Sequence, residues 1–597
     1  MPSRIEDYAM IGDFHTAALV ARDGSIDWLC LPRFDSGACF AALLGTHGHG
    51  RWLICPDGEV RSVQRRYRPD TLVLETTFET DEGAATLIDC MPPRGDNPVL
   101  VRIIVGRRGH VRMRSQLILR FDYGSIVPWV RRTETGIRAT AGPDAVYVST
   151  PAELRGEGLT TVSEFTIGPD EEVPFVLEWQ ASHLTAPRTV DAQDAVAFTE
   201  QWWREWAGRC RYDGRWREPV VRSLITLKAL TYEPTGGMVA APTTSLPEWI
   251  GGSRNWDYRF CWLRDATFLL YALIDAGYRD EALAWRDWLL RAVAGKASQL
   301  NIMYGVTGER RLSEIELDWL PGYEDSRPVR IGNAAHRQFQ LDVYGELMDV
   351  VHVARRHGMP IEKHTWHLQR SLLAYLEDVW REPDEGIWEV RGVRRHFTHS
   401  RVMAWLGVDR MIKSAEHFHL DGDLQRWQRL RREIHAETCA KGFDAEMNSF
   451  VQYYGSKELD ASLLLVPLVG FLPAHDPRVQ GTLAAIEREL LADGLVLRYR
   501  CRRSVDGLPE GEGVFLPCSF WLADNYHLQG RDHDAEALYE RLLGLRNDVG
   551  LIAEEYDIGH KRLIGNFPQA FTHVGIINTA KNLSTPHGPA RHRPNHS

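Results

Sequence analysis

The spacing of apolar residues divides this 597-residue chain into two regions of different texture. Up to about residue 205, apolar and polar residues alternate in short runs, as over residues 71–78 and 111–114, and turn-forming pairs such as Asp23-Gly24 separate the runs. Alternation with a period of two residues, interrupted by turns at short intervals, is typical of antiparallel strands. We therefore predict an N-terminal antiparallel β-sandwich over residues 1–190.

From about Trp216 onwards, the apolar residues take the spacing of helices. Val220, Leu224 and Leu227 form one stripe, and a second periodic stretch at 265–276 stops at Gly277. Similar stretches follow near 333–356, 361–380, 399–417, 423–440, 459–470, 477–493, 516–529 and 533–546. A solenoid would show a repeat of fixed length, and the sequence has none. The pattern instead favours a closed ring of helical hairpins over residues 215–583.

The remaining segments are connections and a tail. Residues 191–214 predict a helical linker between the two regions, and residues 584–597, rich in Pro, His and Arg, predict a disordered tail. Long irregular loops rich in Gly, Pro, Trp and Glu lie at 241–255, 305–331 and 504–517. Loops of this length inside a compact domain are usually functional. We expect them to form a site at one end of the ring.

Charge and hydropathy exclude several function classes. The formal charge is -11, and the 25% of residues that are charged form no basic block of the kind that nucleic-acid binding requires. No apolar run reaches roughly 18 residues, so we predict no membrane span. Acidic clefts suit neutral polyols, because carboxylates accept hydrogen bonds from sugar hydroxyls while a negative field repels phosphates.

Cysteine usage and the N-terminus predict a cellular location. The nine cysteines are scattered without a CxxC pair, and no HExxH motif occurs, so we predict reduced thiols, no metal site and no cofactor. The N-terminal residues lack the basic region and apolar core of a secretion signal. These features predict a cytoplasmic protein. The sequence does not fix the oligomeric state, and a homo-oligomer is compatible with it.

Three loop segments combine aromatic side chains with carboxylates, at 255–265, 383–392 and 550–557. Hydrolysis of an acetal needs a proton on the leaving oxygen and a base for the attacking water. Two carboxyl groups supply both functions when an apolar neighbour raises the pKa of one of them, and Trp388 is such a neighbour for Glu389. A single Trp-Glu or Glu-Glu pair suits an exposed loop equally well. The residues alone therefore indicate only a sugar-processing enzyme.

These segments belong to a set of motifs that resembles glycoside hydrolase family 15, the glucoamylase and trehalase family, in its bacterial type. The matching motifs lie at residues 5–8, 23–35, 255–265, 326–333, 388–389, 511–513, 553–557 and 565–571. They extend over nearly the whole chain. The resemblance implies an N-terminal β-sandwich followed by an (α/α)6 helical barrel, which agrees with the two regions predicted above.

The resemblance also implies which residues form the site. Glu389, directly after a Trp, matches the general acid, and Glu554 matches the general base. The positions expected to bind substrate are Tyr258, Trp262, Arg264, Asp265, Arg327, Trp388, Glu512 and Glu555. Glu555 stands where fungal glucoamylases have Gln, so it has the weaker claim to be the base. Acid and base would act in a single displacement that releases β-D-glucose, with the two carboxyl groups roughly 6.5–9.5 Å apart.

One departure from the family bears on the substrate. Fungal glucoamylases carry a Trp just before the matching Arg-Pro pair, where this chain has Asp325-Ser326. The missing stacking surface favours a small α-glucoside, and we predict trehalose. Hydrolysis of oligoglucosides, as by a glucoamylase or an isomalto-oligosaccharide glucohydrolase, is the alternative. A disaccharide phosphorylase needs no protein base and an inactive sugar-binding protein needs neither carboxyl group, so Glu389 and Glu554 argue against both.

Overall fold

A computed structural model describes residues 2–187, 190–360, 363–501, 506–585 and 588–592. Its N-terminal region consists of two antiparallel sheets of eight strands each. In chain order the strands are Tyr8–Gly12 (β1), Ala17–Ala21 (β2), Ser25–Cys30 (β3), Ala38–Phe40 (β4), Arg51–Pro56 (β5), Val60–Tyr67 (β6), Leu74–Thr80 (β7), Gly83–Cys90 (β8), Val99–Gly109 (β9), Val111–Ile118 (β10), Trp129–Arg132 (β11), Gly136–Ala141 (β12), Asp144–Ser149 (β13), Arg155–Glu157 (β14), Thr160–Ile167 (β15) and Glu172–Ala181 (β16).

The alternating sequence pattern is explained by the burial of these strands. The first sheet has the order β1-β2-β3-β5-β10-β15-β14, with β4 paired to β3, and the second has the order β11-β12-β13-β16-β9-β8-β7-β6. Every second residue of β10 is buried, whereas β8 is buried along its whole length. One face of β10 therefore packs into the core while β8 lies fully inside it. The prediction of N-terminal antiparallel sheets is confirmed.

The rest of the described chain is dominated by helices. The α-helices are Ala192–Ala207 (α1), Arg217–Ala229 (α2), Ala266–Asp275 (α3), Arg279–Ala292 (α4), Asp342–Arg356 (α5), Lys363–Val379 (α6), Thr398–Phe418 (α7), Leu424–Lys441 (α8), Leu465–Leu468 (α9), Pro477–Glu489 (α10), Leu516–Leu528 (α11), Asp532–Leu543 (α12), Ala570–Ser584 (α13) and Pro589–His592 (α14). Short 3-10 helices are Ile5–Asp7, Ala42–Leu44, His47–His49, Ala297–Gln299, Tyr323–Asp325, Ala334–Arg337 and Ala461–Leu464. None of the described helices is both long and apolar enough to cross a membrane.

Short strands connect these helices and shape the loops between them. They are Thr231–Tyr232 (β17), Gly237–Met238 (β18), Thr244–Pro247 (β19), Asn255–Asp257 (β20), Cys261–Trp262 (β21), Met303–Tyr304 (β22), Ile315–Glu316 (β23), Arg330–Ile331 (β24), Phe443–Asp444 (β25), Ser449–Phe450 (β26), Leu491–Ala492 (β27), Leu495–Val496 (β28), Val514–Phe515 (β29), Glu555–Asp557 (β30) and Arg562–Ile564 (β31). The strands β29, β30 and β31 form one small sheet, so the loop segments around Gly513, Glu555 and Ile564 are fixed to one another.

Two stretches differ in detail from the predicted elements. The helix predicted over residues 333–356 is divided into Ala334–Arg337 and α5, because the backbone is extended at Gln338 and the Leu341 amide donates to the carboxylate of Asp384 (3.0 Å). In the predicted tail, α14 includes the buried Ala590, whose amide donates to Asn582 Oδ1 (2.9 Å). Residues 586–587 and 593–597 of that tail lie outside the described residues.

The two regions meet on both sides of the strands β19 and β20. The indole of Trp28, in β3, donates to the carbonyl of Pro242 (2.8 Å). Arg259, only 1% exposed, donates to the carbonyl of Ser36 (3.0 Å) and the hydroxyl of Tyr123 (2.7 Å) and forms an ion pair with Asp257 (2.6 Å). The first sheet therefore anchors the segment 255–265, which carries several of the predicted site residues.

Candidate active site

A cavity opens between the loops of the helical region. It receives side chains from widely separated parts of the sequence, and most of them are charged or aromatic. The lining residues are Glu248, Arg254, Trp256, Tyr258, Asn333, Ala335, Trp388, Glu389, Arg391, Arg498, Tyr499 and Leu508. A small cavity with aromatic walls and convergent polar groups has the chemistry of a sugar-binding site.

Glu389 projects into this cavity from a tight turn. Its amide donates to the carbonyl of Gly386 (3.2 Å), and its own φ of 50° lies in a region that residues other than glycine seldom occupy. The amide group of Gln338 donates to the carbonyl of Glu389 (3.1 Å) and holds the turn from outside. Strained backbone of this kind is retained where the surroundings fix it, and it is concentrated at functional positions.

One oxygen of the Glu389 carboxyl group is fixed by two donors. The indole of Trp262 donates to Oε1 (2.8 Å), and the guanidinium of Arg264 lies 3.3 Å from the same atom. Arg264 also donates to Asp265 (2.8 Å) and to the carbonyl of Ile387 (3.2 Å), so it is itself held from two sides. Among the described residues, no donor reaches Oε2 of Glu389. That oxygen is therefore available to a ligand.

Glu554 lies deeper than Glu389 and is fully buried. Its Oε2 accepts a hydrogen bond from the amide of Asn566 (3.1 Å). Burial raises the pKa of Glu554 to about 8, and the negative charge of Glu248 adds to the rise. Tyr258 lies near both carboxyl groups: burial raises the pKa of its hydroxyl, and the charges of Glu554, Glu248 and Glu389 raise it further. Both predicted catalytic carboxyl groups therefore act on one tyrosine.

Arg498 ties together several carboxylates next to Glu554. Its guanidinium lies 3.0 Å from Glu248, 2.7 Å from Glu512 and 3.3 Å from Glu555. The same guanidinium lies over the ring of Trp388, 5.6 Å from its centroid. A second buried arginine, Arg254, continues the network: it pairs with Glu512 (3.2 Å) and with Asp506 (2.5 Å).

These contacts define two walls of the cavity. We call Trp262, Arg264, Trp388 and Glu389 the Glu389 wall. We call Glu248, Arg498, Glu554 and Glu555 the Glu554 wall. Tyr258 bridges them, and its ring lies 5.1 Å from that of Trp262.

The structure places the predicted site residues at three depths. Lining the cavity are Tyr258, Trp388 and Glu389. Behind the lining residues are Trp262, Arg264, Asp265, Glu512, Glu554 and Glu555. Glu555 is held there by the amide of Gly513, which donates to its Oε2 (2.8 Å). Arg327, in contrast, is exposed, and its Nε lies 3.4 Å from the carbonyl of Pro321, away from the lining residues.

Sequence models of known families match both regions of the chain. The model for glycosyl hydrolases family 15 matches residues 214–581, which include both walls of the cavity. The chain belongs to glycosyl hydrolases family 15. A second model, described as trehalase-like, N-terminal, matches residues 1–203. The family predicted from the sequence motifs is therefore confirmed, and with it the class of enzyme, a glycoside hydrolase.

Relatives of this family 15 member match it along nearly their full length. A trehalase of Mycolicibacterium smegmatis is 39% identical, over 96% of this chain and 90% of the relative. A trehalase of Thermoplasma volcanium is 36% identical, over 97% of this chain and 93% of the relative. Among solved structures, a bacterial glucoamylase in complex with acarbose shares the fold with a TM-score of 0.73 at 13% identity, covering 99% of this chain and 96% of that one.

Several residues of this family 15 site were not found from the sequence. Glu248, Arg254 and Arg498 lie in or beside the cavity, and none of them stands in a segment that combines aromatics with a pair of carboxylates. The one available signal was the long loop over residues 241–255, which is rich in Pro, Trp and Glu. It predicted a functional loop without indicating which side chain acts.

The family 15 site contains one group of acidic side chains close enough together to hold a cation. Within the described parts of the chain, carboxylate oxygens of Glu248, Glu554 and Glu555 lie within 4.8 Å of one another. Arg498 already supplies positive charge to two of these groups. A cation on Glu554 would also occupy the oxygens that a general base needs. The sequence prediction that the protein has no metal site stays a prediction.

Proposed function

We propose that this family 15 member hydrolyses trehalose, an α,α-1,1-linked glucose disaccharide, by single displacement. The observation that carries the proposal is a cavity lined by Glu389 and Glu248, with a carboxylate oxygen of the buried Glu554 within 4.8 Å of one of Glu248. The trehalases that match the chain over at least nine-tenths of its length support the choice of substrate. The outcome is one glucose released as the β-anomer and the other, the leaving group, as the α-anomer.

Glu389 is the proposed general acid. Trp262 and Arg264 hold its Oε1, which leaves Oε2 to carry the proton to the glycosidic oxygen. As the bond between C1 and that oxygen breaks, the leaving glucose takes the proton and Glu389 is left as a carboxylate. Arg264 lies 3.3 Å away and stabilises the negative charge that forms there.

Glu554 is the proposed general base. It accepts a proton from the water that attacks C1 from the opposite face, so it has to be ionised before each turnover. Burial raises its pKa to about 8, because the charged form is poorly solvated there. The fraction of active enzyme therefore rises with pH until about 8.

The remaining predicted residues form the proposed glucose subsite. Arg264 and Asp265 bind hydroxyl groups of the non-reducing glucose, and Tyr258, Trp262 and Trp388 supply the aromatic walls. Glu512 and Glu555 act through Arg498, which lines the cavity and pairs with both. Arg327 contacts the outer glucose from the exposed rim.

One position in the helical region supports a small substrate. Where fungal glucoamylases place a stacking Trp, Ser326 is buried and accepts a hydrogen bond from the amide of Gly251 (2.8 Å). Ser326 offers no aromatic face on which a longer chain could stack. Maltose, isomaltose and longer glucans are accordingly poorer proposed substrates.

The proposal also covers the finer architecture and the setting of the enzyme. The two sheets form a β-sandwich, the helical region forms an (α/α)6 barrel, and the enzyme acts in the cytoplasm. A homo-oligomer is compatible with this assignment, and light scattering after size-exclusion chromatography measures the state.

A substrate panel followed by NMR tests the function. Trehalose, maltose, isomaltose, maltotriose and soluble starch are scored for free glucose, each with and without inorganic phosphate. We expect the highest kcat/KM with trehalose, no need for phosphate, and equal initial amounts of α- and β-glucose. Two α-anomers would indicate retention, strict dependence on phosphate would indicate a phosphorylase, and preference for maltose or isomaltose would reassign the substrate.

A further inference from the structure

Glu248 is a third buried carboxylate at the reaction centre, and the proposed mechanism does not use it. It directly follows β19, its side chain is 3% exposed, and it lines the cavity. Its backbone is fixed on both sides: its amide donates to the carbonyl of Arg254 (3.1 Å), and its carbonyl accepts from the amide of Gly513 (2.9 Å). The side chain therefore has a fixed position next to Glu554.

The Glu554 wall and its surroundings contain more acidic than basic groups. Glu248, Glu554 and Glu555 approach one another within 4.8 Å. Two further carboxylates and two arginines complete the described network: Glu512, Asp506, Arg254 and Arg498. Two guanidinium groups cannot neutralise five ionised carboxylates. Because unpaired buried charge is costly, the network retains protons at a pH where exposed carboxyl groups have lost them.

The groups that face Glu554 come from five segments of the chain. Glu248 and Glu555 bring negative charge and Arg498 brings positive charge. The amide of Asn566 donates a hydrogen bond to Glu554, and the hydroxyl of Tyr258 favours its charged form. Of these, Arg498 already pairs with Glu248 at 3.0 Å. Glu248 thus acts on Glu554 in two ways. Its own negative charge opposes ionisation of Glu554, and its ion pair with Arg498 offsets the positive charge that would otherwise favour that ionisation.

We infer that Glu248 is a positioning residue for the general base: it shares one buried proton with Glu554 and Glu555, and its charge controls when Glu554 can accept a proton from water. The inference rests on the proposed role of Glu554 as the base. It assigns to Glu248 no contact with the reacting atoms. Its function is to set the pH range in which the water can be activated.

The decisive variant is Glu248→Gln, which keeps the shape of the side chain and removes its charge. We expect the acidic limb of the kcat/KM profile for trehalose to move to lower pH by on the order of one unit, since a neighbouring charge shifts a carboxyl pKa by about that much or more. Glu248→Asp keeps the charge and is expected to keep the limb near its wild-type position. An unmoved limb in a folded Glu248→Gln enzyme would overturn the inference.

A matched control separates this effect from the loss of any buried ion pair. Asp89 in β8 pairs with Arg102 (2.7 Å), and both side chains are fully buried in the sheet region. Asp89→Asn loses a comparable ion pair far from the cavity. We expect it to lower the melting temperature, as Glu248→Gln also does, but to leave the acidic limb unmoved. If both variants shift the limb equally, the effect is structural and the inference is wrong.

Infrared spectroscopy gives a readout that does not depend on activity. Protonated carboxyl groups absorb separately from carboxylates, and the wild-type spectrum minus that of Glu248→Gln should show a protonated group whose titration midpoint changes. If the titration midpoint of the protonated group is the same in both proteins, proton sharing is contradicted, even when Glu248→Gln is inactive. If Glu554→Gln retains the wild-type kcat, the base assignment fails while the infrared result still stands. A limb that moves when EDTA removes bound ions would show that a cation, not a proton, balances the three carboxylates.

Discussion

The Glu389 wall and the Glu554 wall place the same functional group in opposite surroundings. Glu389 is 19% exposed, stands on a strained turn and is held by an indole and a guanidinium that both contact one oxygen. Glu554 is fully buried, accepts a single backbone hydrogen bond through Oε2 and has two more carboxylates within 4.8 Å. The first environment fixes the direction of one oxygen. The second controls the charge of the whole group.

This difference suggests how one residue type performs two tasks. A group that delivers a proton to a defined oxygen atom needs orientation, and rigid donors such as Trp262 and Arg264 provide it. A group that accepts a proton from water needs a controlled ionisation state, and neighbouring charges such as those of Glu248 and Arg498 provide that. The comparison therefore predicts different responses when each wall is changed.

The largest effects are expected from removing either carboxyl group. Glu389→Gln and Glu554→Gln should each lower kcat for trehalose by roughly 10²–10⁴-fold. The two variants should differ on a substrate whose leaving group needs no proton. With α-glucosyl fluoride, Glu389→Gln should recover most of its activity and Glu554→Gln should not. Equal losses on both substrates would remove the distinction between the walls.

The next effect concerns the segment that joins the walls. Arg259 forms a buried ion pair with Asp257 in the segment that also carries Tyr258 and Trp262. Arg259→Met leaves Asp257 buried without its partner, and we expect a loss of about 3–5 kcal/mol in the free energy of unfolding. Chemical denaturation measures it.

A matched variant tells whether this segment matters to the site. Arg102→Met breaks a similarly buried pair with Asp89 in the sheet region. Both variants should lose stability, but only Arg259→Met should also lower kcat/KM of the folded enzyme. If Arg259→Met retains full activity, the sheet region does not position the walls.

A smaller effect follows from the bridging tyrosine. The hydroxyl of Tyr258 favours the charged form of Glu554, and this lowers a pKa that burial and Glu248 raise to about 8. Tyr258→Phe removes this hydroxyl, so the pKa of Glu554 rises further and the acidic limb of kcat/KM moves to higher pH. At pH 6 we expect a fall of about tenfold, the size of one hydrogen bond to a charged group. The shift is opposite in sign to that of Glu248→Gln, and a shift in the same direction would contradict the account of the Glu554 wall.

Sequence reasoning located the Glu389 wall more completely than the Glu554 wall, and the physical reason lies in chain separation. Trp388 and Glu389 are adjacent, and Trp262, Arg264 and Asp265 form one short motif, so the resemblance to family 15 could assign them from short stretches of sequence. Glu248 and Arg498 are 250 residues apart and meet only through the fold. Neither position carries a local feature that distinguishes it from an ordinary loop residue.

The fold shows the same limit. Period-two alternation predicted the sheets because strands such as β10 bury every second residue, and this pattern is visible within a single strand. The division of the helix predicted over residues 333–356 depends instead on Asp384, which accepts a hydrogen bond from the Leu341 amide across 43 positions. Apolar periodicity contains no information about such a contact, so the predicted helix was too long.

The smallest effect is expected at Arg327, which belongs to neither wall. Its side chain is exposed, and a contact made by an exposed charge is worth little because water and salt screen it. Arg327→Ala should leave kcat unchanged and raise KM for trehalose by about twofold, in line with surface substitutions. Arg264→Ala, a buried arginine of the Glu389 wall, is the comparison variant and should lose activity by orders of magnitude more. A large rise in KM for Arg327→Ala would mean that the segment around Arg327 folds over the bound substrate. Arg327 would then belong to the binding site together with the two walls.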